Sequence, residues 1–322
     1  MGYELMVYNL DLQSRAERVA ALDPAELRRR SVKAAQERDA AELWAIVEAY
    51  LVTRGGRGSR VSRHTLANYQ QGLTVLLKFC ETSGMSLLRP KANEPFHFVR
   101  QLEASSLAPK SVQSRLTAAR CVFAALRWAG ATEAAPFTDV RAASDPVPRT
   151  EKRKPYSESD LKRLLAKADP QQRLWILLGS HAGLRVSEML SLRRADLHLD
   201  VEVPYLMVDG KGGKRQSVPV SPTLRAALKS WVAMTPQLPE RVMSVRSSRA
   251  VEVSLSNLCA EVGVEYQRRH VHGLRHSAGT RVYVETRDLL EVRDHLRHRD
   301  ITSSEIYVEY ARKGKPSVTR DW

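Results

Sequence analysis

The sequence predicts a mainly α-helical protein built from two domains, with one small β-hairpin in the second. Three observations support this fold class. Apolar residues recur at helical spacing along most of the chain, and strand-like alternation is confined to two short segments near residues 205–220. A basic stretch with three prolines, residues 145–155, separates two parts of ordinary domain size. With 322 residues and 43% hydrophobic residues, each part can bury a core.

The first part of the sequence predicts a helical module behind a charged N-terminal segment. Residues 1–38 are rich in charge and alanine and predict an arm or an extra helix. Residues 39–142 predict a compact four-helix domain, because each helical segment carries apolar residues along one face. Residues 143–155 form the linker. The four helices are expected near 41–53, 65–80, 95–104 and 111–128.

Residues 156–322 predict a second helical domain that contains the hairpin. Ser157 and Asp160 have the spacing of a capping box and begin its first helix. Two strands, 205–208 and 217–220, are expected to be joined by a glycine-rich turn. Residues 236–248 are expected to be a loop. Further helices are expected near 174–180, 187–192, 272–285 and 289–298, after Pro222, and around Ile306.

The charge balance points to a polyanionic partner. Lys and Arg number 51 against 36 Asp and Glu, a net charge of +15, which favours nucleic acid first and an anionic membrane second. No run of about 18 apolar residues is present, so no membrane span is expected. The N-terminus lacks the pattern of a signal peptide. The widely spaced Cys80, Cys121 and Cys259 indicate buried thiols in a reducing cytoplasm.

Two isolated arginines suggest a site for a phosphodiester. Arg185 follows an Ala-Gly-Leu tripeptide and Arg275 follows His-Gly-Leu, and we expect both at helix starts, where glycine lets the chain turn tightly. A guanidinium stays charged and presents a planar fork of donors to the non-bridging oxygens. Two such groups around one phosphate would stabilise the charge of its transition state. Glu188, three residues after Arg185, is expected to support them.

A late tyrosine is the candidate nucleophile. Tyr307 stands nine positions after His298. A phenol with a pKa near 10 needs a base, for which His272 is the candidate. Lys211, in a Gly-Lys-Gly-Gly-Lys turn, is the candidate acid for the deoxyribose leaving oxygen, and His298 would donate to a non-bridging oxygen. Because these side chains can hold and attack a phosphodiester, we expect no metal, and because a phosphotyrosine ester keeps the bond energy, we expect no nucleotide cofactor.

Taken together and in this order, these motifs resemble the tyrosine recombinases, also called the phage integrase family, and especially their short Xer-like members. Residues 182–188 resemble the first arginine motif, and 210–215 resemble the hairpin lysine turn. Residues 272–276 resemble the histidine–arginine motif, while 296–298 with Tyr307 resemble the Leu-Gly-His motif and nucleophile. The likeness is strong over about 155–310 and weaker over about 40–130, which is similar to the family's SAM-like core-binding domain.

The resemblance implies a two-domain clamp on double-stranded DNA. It implies four protomers on two sites, a 3′-phosphotyrosine intermediate and a Holliday junction, with or without a second recombinase. It also implies a cytoplasmic, nucleoid-associated protein without a membrane partner. The residues expected to contact DNA are Arg57, Arg60, Lys110, Arg115, Lys154, Lys214 and Arg215.

The sequence departs from the family pattern at one position and offers competing residues at two others. Arg297 stands where the family usually has glycine. His295 competes with His298, and Tyr310 lies one helical turn beyond Tyr307, although the nine-residue spacing favours Tyr307.

Three alternative functions stay open beside recombination. The first is a DNA-binding protein of the same fold that does not cut, and the second is a type IB topoisomerase. The third is a metal hydrolase, although its histidines lack the intervening glutamate of a His-Glu-x-x-His motif. Chromosome dimer resolution, plasmid resolution and mobile-element integration are all open as roles. The histidines of the metal alternative are His270, His272, His276, His295 and His298.

Overall fold

The computed structural model describes residues 2–210, 215–238 and 240–312, with side chains from Tyr8 onward. The chain forms two compact units, Met1–Pro146 and Val147–Trp322. Both are mostly helical, and the second also contains one small antiparallel sheet. The predicted fold class is therefore confirmed.

The first unit consists of six helices among the described residues, and the four predicted ones are α3 to α6. Their starts follow from side-chain caps: Asp39 accepts from the backbone of Ala41 at 2.9 Å, and Ser62 accepts from Thr65 at 3.1 Å. Gly84, with φ of 74°, ends α4. The helices are α1 (Gly2–Ala20), α2 (Pro24–Glu37), α3 (Ala40–Thr53), α4 (Arg63–Ser83), α5 (Glu94–Ala104) and α6 (Pro109–Trp128).

Apolar packing holds the first unit together. Leu12 and Ala16 of α1 are buried in a cluster that includes residues of α3, so the charged N-terminal segment is docked on the unit. Helices α4 and α6 cross closely, because a Cβ built on Gly72 would lie 2.2 Å from the Cβ of Ala118. The core also contains a chain of aromatic rings with centroid separations of 5.2 to 5.6 Å. The rings belong to Phe79, Phe98, Phe137 and Phe123.

The second unit surrounds a small sheet with helices. The predicted hairpin is present, and a third strand, β1, extends the sheet in the order β1-β2-β3. Strand β1 and helix α12 are not among the predicted elements. The strands are β1 (Leu197–His198), β2 (Tyr205–Asp209) and β3 (Arg215–Pro219). The helices are α7 (Arg149–Lys152), α8 (Glu158–Lys167), α9 (Pro170–Ser180), α10 (Val186–Ser191), α11 (Pro222–Met234), α12 (Ser248–Glu261), α13 (His270–Thr286), α14 (Leu289–Leu296) and α15 (Ile306–Arg312).

Helix α9 is the buried centre of the second unit. Its residues from Leu174 to Ser180 are all buried. Gly179 lets α13 approach, because a Cβ there would lie 2.5 Å from the Cβ of Leu274. The predicted capping box is confirmed on α8, where Ser157 Oγ accepts from the Asp160 amide at 3.1 Å. Helices α13 and α15 and the segments after α9 and α14 carry the candidate site.

Two expectations from composition can be compared with the structure. Cys80, Cys121 and Cys259 are free thiols and buried, as predicted. Among the residues that the structure describes, no helix combines the length and hydropathy needed to cross a membrane.

Candidate active site

Arg185 stands at the start of α10, as predicted. Gly183 takes a left-handed φ of 60°, and a Cβ there would lie 2.5 Å from Leu296 Cδ2, so the turn before Arg185 requires glycine. Arg185 Nη1 donates to Glu188 Oε1 at 2.6 Å, and its backbone N–H donates to Glu188 Oε2 at 2.9 Å. The Arg185 side chain keeps 35% of its surface exposed, so a ligand can reach it.

Arg275 is placed differently from the prediction. It does not begin a helix: α13 starts at His270, so Arg275 lies in the second turn. Its residue is only 1% exposed, and its terminal nitrogens donate to the backbone carbonyls of Gly183 and Leu296. Burial, followed by the charges of Arg185 and Arg297, lowers the pKa of Arg275 to about 9. The group therefore remains charged at neutral pH, anchored by two carbonyls.

Glu188 is the acidic residue that the arginines share. It is 4% exposed, and its side chain bonds Arg185 and Arg297 while lying 3.9 Å from Arg275 Nη1. Burial alone would raise the pKa of Glu188, but the bond from the Arg185 backbone and the charges of the arginines hold that pKa below its usual value. Glu188 is thus an ionised carboxylate that orders the guanidinium groups around it.

Tyr307 lies in α15 with its ring enclosed by the site. The residue is 1% exposed, and its ring stacks on His298 with a centroid distance of 6.2 Å and an interplanar angle of 15°. Gly279 clears the space for the ring, because a Cβ there would lie 2.6 Å from Tyr307 Cζ. Burial raises the pKa of Tyr307 to about 12, while the charges of Arg275 and Arg185 act in the opposite direction. The phenol and both arginines therefore share one electrostatic environment.

The hydroxyl of Tyr310, the competing tyrosine, is engaged in a hydrogen bond. The Tyr310 hydroxyl donates to the backbone carbonyl of Arg153. Within the described ranges, the Tyr307 hydroxyl makes no hydrogen bond. This contrast favours Tyr307 over Tyr310 as the nucleophile, in agreement with the spacing from His298.

His298 faces Tyr307, whereas His295 lies elsewhere in the site. Its Nδ1 is 2.9 Å from Ser304 Oγ, and burial lowers the pKa of His298 to about 4, so the ring is neutral at neutral pH. His295 instead lies against the turn before Arg185, with its Cδ2 3.7 Å from the Cβ position of Gly183. The position of the His298 ring against Tyr307 therefore favours His298 over His295.

His272 lies at the open edge of the site, and His276 lies behind it. The His272 side chain is exposed, and its ring meets that of His276 edge-on at a centroid distance of 4.7 Å. The surrounding protein, followed by the charge of Arg275, lowers the pKa of His272, which keeps its ring neutral and able to accept a proton.

His276 belongs to the predicted histidine–arginine motif, but the sequence analysis gave it a role only in the metal alternative. It is 8% exposed, and its ring lies 5.7 Å from that of Tyr307 and 5.6 Å from that of Tyr310. Burial lowers the pKa of His276 to about 3. Its spacing of four residues from His272 on one helix was the available signal. Across the described residues, no three His, Cys, Asp or Glu side chains group so as to hold a metal ion.

The predicted DNA-contact residues fall into both units. Arg57, Arg60 and Lys110 are exposed in the first unit. Lys110 lines a groove of about 270 Å³ between α4 and α6, and beside this groove Arg115 Nη1 lies 3.4 Å from the carbonyl of Asn68. This groove offers one cation and several hydroxyl and amide groups to a ligand.

In the second unit, the predicted contact residues are placed less uniformly. Arg215 is paired with Asp196 and lies 3.6 Å from Asp209. Lys154 has a half-buried side chain. Lys211 and Lys214 lie outside the described residues, so the predicted general acid has no structural counterpart to report.

Comparisons with known proteins agree with the geometry of the site. The model of the phage integrase family matches residues 156–313, and that of the phage integrase N-terminal SAM-like domain matches residues 57–130. Tyrosine recombinase XerC of Xanthomonas campestris pv. campestris (strain B100) is 31% identical over 77% of this chain and 79% of its own length. Tyrosine recombinase XerD of Caulobacter vibrioides (strain ATCC 19089 / CIP 103742 / CB 15) is 29% identical over 78% of this chain and 87% of its own.

Two solved structures share the fold. One is XerH site-specific recombinase bound to palindromic difH substrate in a post-cleavage complex, with a TM-score of 0.68, 15% identity and coverage of 96% of this chain and 93% of that one. The other is a lambda integrase tetramer bound to a Holliday junction, with a TM-score of 0.66, 17% identity and coverage of 87% and 80%. The chain belongs to the phage integrase family of tyrosine recombinases and is an enzyme of that family, which confirms the predicted family.

Proposed function

We propose that this protein is a site-specific recombinase that cuts and rejoins duplex DNA through a 3′-phosphotyrosine intermediate and a Holliday junction. The observation that carries the proposal is the environment of Tyr307. Its hydroxyl makes no hydrogen bond to the described residues, while the charges of Arg185 and Arg275 act on it. A phenol that is free of hydrogen bonds to the described residues and feels the charges of two guanidinium groups suits attack on a phosphate.

Arg185 and Arg275 bind the non-bridging oxygens of the scissile phosphate in this proposal. Arg185 reaches them from its exposed side, and Arg275 uses donors that the two backbone carbonyls leave free, since a guanidinium has five N–H groups. As charge builds up on these oxygens, both interactions strengthen, which lowers the barrier. In this proposal the Ser304 hydroxyl donates to His298 Nδ1, and Nε2–H donates to the same phosphate.

The proposed bond changes all occur at one phosphorus atom. The Tyr307 oxygen attacks phosphorus while the bond from phosphorus to the 5′-oxygen breaks. His272 accepts the phenolic proton, and Lys211 returns a proton to the 5′-oxygen. Reversal with a 5′-hydroxyl from a second duplex joins the exchanged strand and frees Tyr307. One phosphodiester is made for each one broken, so no nucleotide is consumed.

Recombination between two DNA sites requires paired cuts, and several protomers must therefore assemble on the DNA. Lambda integrase, a structural relative, forms a tetramer on a Holliday junction. We infer that this chain acts in the same way on two DNA sites, alone or with a second recombinase. Such a reaction takes place on the nucleoid.

Covalent trapping tests this function. The full-length protein is incubated with nicked duplexes that carry randomised inverted half-sites, and adducts that survive detergent are sequenced and mapped by peptide mass. We expect the DNA on Tyr307, no adduct from Tyr307→Phe, and an adduct from the matched control Tyr310→Phe. Wild-type protein that binds DNA but forms no adduct would indicate the alternative of a DNA-binding protein of the same fold that does not cut. Sequence-independent relaxation of plasmids by a monomer would indicate the topoisomerase.

A further inference from the structure

Arg297 is a buried arginine outside the catalytic set described above. Its side chain is 4% exposed, and its φ of 54° lies in the left-handed region that favours glycine. Arg287 ends α13 with nearly the same φ, 59°, but its side chain is exposed. Burial, rather than backbone conformation, therefore distinguishes Arg297 from the other arginine.

The guanidinium of Arg297 joins the two parts of the chain that hold Arg185. Nη2 donates to Glu188 Oε2 at 2.9 Å, and this same oxygen accepts the backbone N–H of Arg185 at 2.9 Å. Nη1 and Nη2 also donate to the carbonyls of Ala182 and Gly183, each at 3.3 Å. The turn before Arg185 and the carboxylate behind it are thus fastened by one side chain.

The same side chain is connected to Arg275. The Gly183 carbonyl accepts from both Arg275 and Arg297, and Arg275 Nη1 lies 3.9 Å from Glu188 Oε2. Three guanidinium groups therefore share the Glu188 carboxylate, and two of them, those of Arg275 and Arg297, also share the Gly183 carbonyl. Because only one negative charge faces three positive ones, the arrangement keeps an excess of positive charge for an anion.

We propose that Arg297 is a positioning residue for strand cleavage, whose planar fork holds Glu188 and the Ala182–Gly183 turn so that Arg185 and Arg275 stay in place around the scissile phosphate. This inference rests on the proposed function. Glycine, which the family pattern has at this position, supplies neither the fork nor the charge. A lysine supplies the charge but not the planar set of donors.

The test uses the nicked duplex recovered by covalent trapping with wild-type protein. Arg297→Gly, Arg297→Lys and the control Arg287→Gly are compared in the single-turnover rate constant of adduct formation, in affinity measured on a Tyr307→Phe background, and in thermal midpoint. For Arg297→Gly we expect a rate constant lower by roughly 10- to 100-fold, since small misplacements of catalytic groups have effects of this size. We expect its affinity to change by less than about threefold. Arg287→Gly, which relaxes the same backbone conformation on the surface, keeps the wild-type rate.

Arg297→Gly, Arg297→Lys and a double variant with Glu188→Gln distinguish an effect of charge alone from an effect of the planar donors that hold Glu188. Arg297→Lys should stay well below wild type, because one ammonium cannot reach the carboxylate and both carbonyls together. The double variant Arg297→Gly with Glu188→Gln should have nearly the same rate constant of adduct formation as the slower of the two single variants. The reason is that both substitutions act through the Glu188 carboxylate. Where Glu188→Gln lowers the thermal midpoint too far to be measured, the comparison of Arg297→Lys with Arg297→Gly decides.

Several results would overturn the proposal. They are a wild-type rate for Arg297→Gly or Arg297→Lys, additive effects in the double variant, or a parallel fall in rate, affinity and thermal midpoint. Failure of the proposed function looks different, because wild-type protein itself would then form no adduct on Tyr307.

Discussion

The two units of this protein bury different kinds of side chain. Among the described residues, the buried polar or charged side chains of the first unit are Ser31 and Glu48, and its core is rich in phenylalanine. The second unit buries Arg275, Glu188 and His276 beside its apolar core. Burying charge is unfavourable unless it is paired, whereas burying apolar surface is favourable. The first unit is thus arranged for stability, and the second gives up some stability to hold a reactive site.

The largest expected effects come from one substitution in each core. Arg275→Ala should lower the rate constant of adduct formation by about 100-fold or more, because it removes transition-state stabilisation. Phe98→Ala should lower the free energy of unfolding by about 3–5 kcal/mol, as expected for a fully buried ring, yet folded and DNA-saturated protein should cut at the wild-type rate. Urea unfolding measures the free energy of unfolding, and single-turnover cleavage measures the rate constant of adduct formation. Slow cleavage by folded Phe98→Ala protein would contradict the view that the first unit contributes stability and the second contributes the reactive site.

Two glycines provide the next comparison. Gly279→Ala places a methyl group 2.6 Å from Tyr307 Cζ, so the ring must move and cleavage should slow by about 100-fold. Gly72→Ala places one 2.2 Å from the Cβ of Ala118 and should force α4 and α6 apart. We expect that variant to lose about 1–3 kcal/mol of stability through overpacking, with no change in the cleavage rate of folded protein. Equal cleavage by the two variants would contradict this.

Acid should affect the second unit before the first. Burial lowers the pKa of His276 to about 3 and those of His298 and His181 to about 4, whereas an unfolded histidine titrates near 6.5. As pH falls from about 6.5 towards 4, the unfolded chain gains protons that the folded unit does not, so stability falls across this window. Hydrogen exchange followed by mass spectrometry, unit by unit, should show loosening of the second unit first. His64 and His97 of the first unit are exposed. An equal rise in hydrogen exchange in both units would argue against the buried histidines as the cause of the acid sensitivity.

The smallest expected effect concerns DNA affinity. Arg57→Ala and Lys110→Ala in the first unit should each reduce the slope of log affinity against log salt by about 1, because each removes a phosphate contact. The cleavage rate of bound DNA should not change. Binding titrations at several salt concentrations measure the slope, and an unchanged slope would remove these residues from the DNA interface.

Local features of the site could be predicted from the sequence, and features set by distant contacts could not. The start of α10 at Arg185 follows from a glycine and from Glu188 three residues later, all within one turn. The start of α13 at His270 placed Arg275 a turn further in than expected, since no strong cap marks that helix. The hydrogen bond from Tyr310 to Arg153 joins residues 157 positions apart, so no spacing could show which tyrosine is free.

Helix α12 and strand β1 were missed for a related reason. Strand β1 has two residues and exists because β2 pairs with it. Helix α12 alternates apolar residues with serine, arginine and glutamate, and its buried face is clear only against the rest of the core. Such elements depend on their neighbours, and local preference alone does not specify them.

The anchoring of Arg275 also limits when the candidate site can form while the chain is being synthesised. Its two carbonyl partners, Gly183 and Leu296, lie 92 positions before it and 21 positions after it. A nascent chain that has not yet emerged beyond Leu296 cannot complete this arrangement, and Tyr307 follows later still. Cotranslational folding of the second unit therefore stays incomplete until α14 and α15 have left the ribosome.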